Sequence, residues 1–393
     1  MANTTIAESC TLHARIGWQG LTKKEYLDEG DYYLITGVDF NNGHIAFEKC
    51  HYVTQERYDQ DEHIQINVDD ILVTKDGTIG KVAIIDKPTN KPATLNSGVF
   101  VVRPKDKRVL LPKYLMYVLQ SNHFNSFIDR IKVGCTIAHL NQEKFLKYDF
   151  PLPAIEEQKQ IIRIFDGIYA VLHKRQQELQ TMDDLINARF VEMFGTIHNN
   201  VFEYEIKTIQ DVREQIKDGT HQTPIYTDDA INGFKFLSSK DVTSGKIDWN
   251  HLKYIPESLH RGLYARIAPR RGDLLLAKNG TTGIAAIVDR DEIFDIYVSL
   301  ALLRPIEIDS VYLWGAVNAQ ETKEQFDASL KGVGVPNLHL GEIKKTRILV
   351  PPIKKQKEFA TFVAQVDKSK VIVRKALDEA QLLFDSLMQQ YFG

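Results

Sequence analysis

Gly77–Lys81, which reads GTIGK, is the stretch of this chain nearest to a phosphate-binding loop. Such a loop needs a glycine five residues before its second glycine, so that backbone N–H groups can wrap a polyphosphate. It also needs a Ser or Thr after the lysine to hold magnesium. Those positions are Lys75 and Val82 here, so the stretch reads as the tip of a turn. Gly332-Val333-Gly334 lacks the third glycine of a dinucleotide loop. VPPI at Val350–Ile353 lacks the leading Asn or Asp with which an adenine methyltransferase holds the amino group of a flipped base; its prolines suit the opening of a helix. The nuclease-like triplets Glu157–Lys159, Glu205–Lys207 and Glu342–Lys344 have no paired Asp at strand spacing. There is no His-Glu-x-x-His or Cys-x-x-Cys spacing for zinc. His221 and His339 stand alone, in structural or DNA-contact roles. The sequence thus offers no catalytic residues and no metal site.

Composition narrows the classes further. A hydrophobic content of 43% and a charged content of 26% are those of an ordinary globular protein. The net charge of −3 argues against a coat of positive charge and leaves DNA binding to local patches, aided by partners. Met1–Cys10 is polar and no apolar run reaches the roughly 18 residues of a membrane span, so neither secretion nor a membrane is expected. Cys10, Cys50 and Cys135 are few and far apart, which fits reduced thiols in the cytoplasm.

The elements that must position any functional residue come twice. IEEQKQ from Ile155 and IKKQKE from Ile353 both follow a proline-rich step, and from there the two copies align without a gap to Phe194-Gly195 and Phe392-Gly393. Ile155/Ile353, Gln158/Gln356, Lys159/Lys357, Leu179/Leu377 and Leu185/Leu383 coincide. Upstream, DILVTKDGTIGKVAII from Asp70 matches DLLLAKNGTTGIAAIV from Asp273. Asp39, Gly43, Ile45 and Tyr52 recur as Asp241, Gly245, Ile247 and Tyr254, and Arg103-Pro104 as Arg304-Pro305. An ordered series of this kind is a repeat and not chance.

Each copy ends in a long helix. Apolar residues step by three and four through Ile161, Phe165, Ile168, Leu172, Leu179, Met182, Ile186 and Met193. In the second copy they run through Phe359, Val363, Val366, Val373, Leu377, Ala380, Phe384, Leu387 and Tyr391. That is a heptad seam, broken by Arg175, Arg189 and Lys370, over about 40 residues or roughly 60 Å. Pairing of the two helices with each other is expected; the residues leave parallel and antiparallel senses open. The globular parts look mixed and β-rich. Asp76-Gly77 and Asn279-Gly280 each sit between β-prone runs as a hairpin signal, with further helices around Pro112–Arg130 and Val311–Leu330. The predicted division is 1–150, a helix over 151–195, then 196–350 and a helix over 351–393.

This pattern resembles the specificity subunits of type I restriction-modification systems. The paired DILVTKDGTIGKVAII and DLLLAKNGTTGIAAIV segments carry the resemblance, with PLPAIEEQKQI and VPPIKKQKEF opening the heptad helices. GWQGLTKKEY at Gly17–Tyr26 and IKDGTHQTP at Ile216–Pro224 look like the family's domain-opening segments. The resemblance spans essentially the whole chain. It implies an α+β fold of two mixed target recognition domains, each followed by a spacer helix, with the helices antiparallel and pseudo-two-fold. It implies that each domain reads one half of a split, asymmetric DNA sequence and that the helices dock two modification subunits. Restriction (motor-nuclease) subunits would join these. The chain itself would need no cofactor, while the complex would use S-adenosylmethionine, and ATP with Mg2+ for restriction.

Base edges are read by polar side chains and phosphates by Lys, Arg and backbone N–H groups. The candidates for double-stranded DNA are therefore Lys75, Thr78 and Lys81 in the first copy, with Lys278, Asn279, Thr281 and Thr282 in the second. Lys23, Lys24, His221, Gln222, Arg270 and Arg271 join them. Gln158, Arg163, Gln356 and Thr361 are candidates for partner docking. A specificity subunit of another multi-subunit restriction class, or a coiled-coil scaffold that reads no DNA, would share much of this pattern.

Overall fold

The computed structural model describes residues 3–16, 20–132, 139–330 and 336–393. Cys135 and Gly332-Val333-Gly334 lie outside the described residues, as does the start of the Gly17–Tyr26 segment.

The runs ILVT and LLLA are apolar at successive positions because their strands are covered on both faces. In the first copy, Ile71–Thr74 lies between Val99–Pro104 and Val82–Ile84, and Cys10–Ala14 completes a four-stranded antiparallel sheet. Strand alternation sends Ile71, Val73, Phe100 and Val102 to a helical layer. Leu72, Val99 and Val101 face a three-stranded sheet, where they meet Tyr33, Ile35 and Leu95. In that smaller sheet Tyr32–Ile35 pairs antiparallel with His51–Val53 and parallel with Ala93–Leu95. A two-stranded pair, Asn3–Thr5 with Asp149–Pro151, ties the first strand to the step into the long helix.

The second copy repeats this strand for strand. Arg213–Asp218, Leu300–Pro305, Leu274–Ala277 and Ala285–Ile287 form the antiparallel sheet in the same order. Lys253–Ile255, Phe234–Leu237 and Phe294–Ile296 form the three-stranded sheet. Glu205–Thr208 pairs with Arg347–Val350. Leu274, Leu276 and Leu303 pack on helices, whereas Leu275 and Leu302 pack on Leu237 and Phe294.

Two local expectations needed revision. Each single predicted helix is a pair: Pro112–Gln120 with Asn122–Lys132, and Ser310–Asn318 with Gln320–Ser329. Ser121 and Ala319 adopt extended backbone between them, which no apolar periodicity signals. The Asp-Gly and Asn-Gly pairs do sit between antiparallel strands, but in loops longer than two-residue turns. The ladders stop at Val73↔Val82 and Leu276↔Ala285. Each loop closes through a second glycine at positive φ, where Gly80 N–H donates to Thr74 O (2.9 Å) and Gly283 N–H to Ala277 O (2.8 Å).

Both long helices, Ile155–Phe194 and Ile353–Phe392, are present. The chain forms two compact units, Met1–Gln176 with Lys375–Gly393, and Gln177–Arg374. Each unit thus holds part of each long helix. In the first unit Phe165 packs on Phe384 (5.4 Å between rings) and Phe392 (5.7 Å). In the second, Phe359 packs on Phe190 (5.3 Å) and Phe194 (5.7 Å). The beginning of one helix meets the end of the other in both cases, so the pairing is antiparallel. Near the helix ends Ile186, Phe190 and Phe194, with Met388 and Phe392, are buried, and Met193, Leu387 and Tyr391 pack half-buried beside them. A straight helix turns 3.6 residues at a time and drifts from a 3.5-residue stripe. These ends also pack on a helix of the globular part as well as on the partner helix: Phe190 stacks on Tyr312 of Ser310–Asn318, and Phe392 meets Tyr114 of Pro112–Gln120.

Candidate nucleic-acid interface

The residues common to both copies hold the scaffold. Asp70 receives Arg103 bidentately, Nε and one terminal NH2 each at 2.7 Å, and Asp273 receives Arg304 at 2.9 and 2.7 Å. Burial alone would oppose such charges; the paired geometry satisfies both, and Asp273 raises the Arg304 pKa through its hydrogen bond. Gln158 is fully buried; its Oε1 accepts from Leu111 N–H at 2.9 Å and its Nε2 donates to Val109 O (2.8 Å) and Pro153 O (2.9 Å). Gln356 repeats this in the second unit, accepting from Asp309 N–H (2.8 Å) and donating to Pro351 O (2.7 Å). The proposed docking role of Gln158 and Gln356 is therefore corrected: both are internal clips that anchor a long helix to its unit, with no atom to offer a partner. Arg163 and Thr361 remain exposed.

Beyond the end of the central sheet, several chain segments converge in each unit. In the first, Lys75 N–H donates to Gly98 O (2.8 Å), and Leu140 N–H to Lys75 O (2.9 Å). Gly37 lies against Thr74, and Asn96 bonds Tyr26, which follows the short 3-10 turn Lys23–Glu25. The buried Arg15 fixes this corner from within through Leu95 O (2.9 Å), Thr94 Oγ1 (3.2 Å) and Gln60 Oε1 (3.1 Å). In the second unit Lys278 N–H donates to Ser299 O (2.9 Å), and Leu338 N–H to Lys278 O (2.7 Å). The Asp218–Gln222 stretch closes the corner through Thr220, whose N–H donates to Ile296 O (3.2 Å).

These corners gather most of the sequence candidates. Lys23, Lys24, Thr78 and Lys81 are exposed, and Lys75 is half-buried over the Phe100 ring (5.2 Å). Lys75 lines a cleft of about 410 Å³ with Arg15, Asp76, Ser97 and His139. His221, Gln222 and Thr281 are exposed, and Thr282 is half-buried. Lys278 is corrected. It is only 5% exposed, and its ammonium lies 3.4 Å from Asp218, which also takes Arg266 (3.3 Å) and His221 (3.1 Å). Asn279 is half-buried with its Oδ1 enclosed, beside Asn337 on an isolated bridge. Arg270 and Arg271 are exposed but sit at the other end of the Leu274–Ala277 strand, where Arg270 N–H caps Asp273 (2.8 Å). A four-residue strand is about 13 Å long, so this pair is not part of the corner.

Sequence reading missed the buried Arg15, Arg266 and the turns containing Val38 and Lys240. Only the recurrence of Asp39 as Asp241 marked those turns. Among the described residues no group of His, Cys, Asp and Glu could hold a metal ion, and no helix is long and apolar enough to cross a membrane.

The two units thus present one β-rich frame twice, each with a polar corner beyond its central sheet. The family model for the type I restriction modification DNA specificity domain matches residues 18–181 and 203–381, and the chain belongs to that family. The MjaVIII type I restriction enzyme specificity subunit of Methanocaldococcus jannaschii is 24% identical over 343 residues, 81% of this chain and 77% of that protein. The EcoBI specificity subunit of Escherichia coli is 26% identical over 363 residues, 82% of this chain and 73% of that one. The fold also matches the type I restriction-modification S subunit from M. genitalium, at a TM-score of 0.51 and 15% identity over 100% of this chain and 96% of that chain. A chain from a study of complex assembly and conformational transition of the type I system matches at a TM-score of 0.54 and 16% identity, over 100% and 97%. DNA target recognition is the function of this family. The chain is a non-catalytic specificity subunit whose partners are DNA and the modification and restriction subunits.

Proposed function

We propose that each unit reads one half of a bipartite, asymmetric DNA target through the corner beyond its central sheet. The observation that carries this is the repeat itself. The two scaffolds agree in strand order and in their Asp–Arg and Gln clips, while the exposed residues at the corners differ. Identical frames bearing different surfaces suit two different half-sites. The recognition domains are assigned to 1–150 and 196–350, and the spacer helices to 151–195 and 351–393. A duplex presents the same face once per turn, about 34 Å, so a rigid helical spacer would fix the gap between half-sites.

The outward faces of the helices suit two modification subunits better than their buried glutamines do. Ile164 and Val171 are exposed in the first unit, and Leu185, Val191, Val371 and Ile372 in the second. Arg163 and Thr361 are also exposed on these helices. S-adenosylmethionine, and ATP with Mg2+, would be used by the partner subunits, and this chain would need neither. Cys10 and Cys50 are buried free thiols, which is consistent with a cytoplasmic protein; burial raises the Cys10 pKa to about 11.

Co-expression with the neighbouring modification subunit, followed by sequencing of adenine methylation, tests this reading. A methylated motif of two unlike half-sites around a fixed gap is expected. A stable complex without methylation would point to a scaffold, and the absence of any complex would overturn the partner assignment.

A further inference from the structure

Thr36–Asp39 and Ser238–Asp241 are the same turn built twice. In the first unit Asp39, 2% exposed, accepts from Thr36 N–H (2.7 Å) and Thr36 Oγ1 (2.8 Å), and Asp39 N–H donates to Thr36 O (3.2 Å). In the second, Asp241 accepts from Ser238 N–H (2.7 Å) and Ser238 Oγ (2.9 Å), and its own N–H donates to Ser238 O (3.0 Å). Even the exit is shared: Ala46 N–H donates to Asp39 O and Asp248 N–H to Asp241 O, both at 2.9 Å. A turn fixed at both ends by a buried carboxylate spends little entropy on holding its tip.

Both turns lie in the recognition corners. Gly37 stands so close to the Thr74 side chain that a Cβ would sit 3.4 Å from Thr74 Cγ2. In the second unit Ser239 N–H donates to Ser299 Oγ (2.9 Å), and the carbonyl of Ser299 holds Lys278 N–H. The frame is shared, but the residue just before each aspartate is not. It is Val38, 82% exposed, in the first unit and Lys240, also exposed, in the second. A valine held out on a rigid turn gains nothing for its own fold. Lys240 forms no ion pair among the described residues.

We propose that Val38 and Lys240 are base-reading residues, one in each half-site. Valine would meet the C5-methyl group of thymine in the major groove, and the lysine ammonium would donate to the O6 and N7 acceptors of guanine. The exchange of an apolar tip for a cationic one then contributes directly to the asymmetry of the target. This assignment rests on the half-site reading above and adds the residues and the base chemistry.

The test is selection from a duplex pool randomised at both half-sites, using the purified complex of this chain with its modification subunit. The wild type, Val38→Lys and Lys240→Val are compared. Both positions are solvent-exposed, so matched thermal midpoints should show that the variants fold. The wild-type complex is expected to select two half-sites. Val38→Lys should change base preference roughly ten-fold at a position in one half-site, and Lys240→Val should do so in the other. Unchanged preferences in both variants, with the wild-type motif intact, would overturn the assignment alone. A wild-type complex that selects no bipartite motif would overturn the half-site reading and this inference with it.

Discussion

Lys75 and Lys278 occupy the same place on equivalent hairpin loops, yet among the described residues only Lys278 forms an ion pair, with Asp218 at 3.4 Å. The position matching Asp218 in the first unit is Ala14, since Ala14 pairs with Phe100 as Asp218 pairs with Ala301. One side chain on the edge strand thus decides whether the lysine is held internally or left to an anion. Lys75→Ala should lower the slope of log affinity against log salt by about 0.9, the loss of one phosphate contact. Lys278→Ala should leave that slope unchanged and cost about 1–3 kcal/mol of stability, because Asp218 keeps Arg266 and His221. Binding titrations over a salt series and urea unfolding separate the two.

Gln158→Ala and Gln356→Ala should each destabilise by about 1–3 kcal/mol, since Leu111 N–H and Asp309 N–H lose a buried acceptor. Glutamate at either position would bring a buried charge and should cost more. Chemical denaturation of the single variants checks this. Unchanged midpoints would return these glutamines to the surface as docking residues.

Lys370 is 3% exposed in the second unit's helix pair, and its ammonium bonds Asp183, with Asp367 3.9 Å away. Asp183 itself remains largely in solvent. Lys370→Met should therefore be neutral or stabilising by about 1–3 kcal/mol, because it removes a desolvated charge and leaves Asp183 hydrated. Thermal unfolding measures the sign; a large loss would mean that the ion pair outweighs its desolvation.

Glu25, beside the exposed Lys23 and Lys24, has its pKa lowered to about 2, chiefly by the backbone N–H of Thr22 and then by the Thr22 hydroxyl and Arg57. A depressed folded-state pKa adds stability above the unfolded value, and that stability is lost as pH falls. The loss should run from about pH 4.5 towards about 2. Urea midpoints of wild type and Glu25→Gln should converge across that window and differ above it.

Much of this protein is legible as pattern. The repeat, the two long helices and the buried strands ILVT and LLLA follow from periodicities that local geometry imposes, 3.6 residues per helical turn and two per strand. The absence of phosphate-loop and zinc spacings is also a property of residue order. The sequence equally marked Asp39/Asp241, Asp70/Asp273, Arg103/Arg304 and Gln158/Gln356 as repeated, but it could not say why. Those residues act over 3 to 49 positions of chain, through hydrogen bonds whose partners periodicity does not name. The antiparallel sense of the helices was open because heptad seams fit either direction, and it was decided by Phe165 and Phe359 packing in their own units. The burial of Lys278 and the only partial burial of Lys75 depend on a neighbouring strand some 60 residues upstream (about 200 Å of extended chain). Local sequence thus determined which elements form, while tertiary structure decided which repeated residues are scaffold and which differing ones face outward. Hydrogen bonding and burial are set by neighbours in space, not by neighbours along the chain.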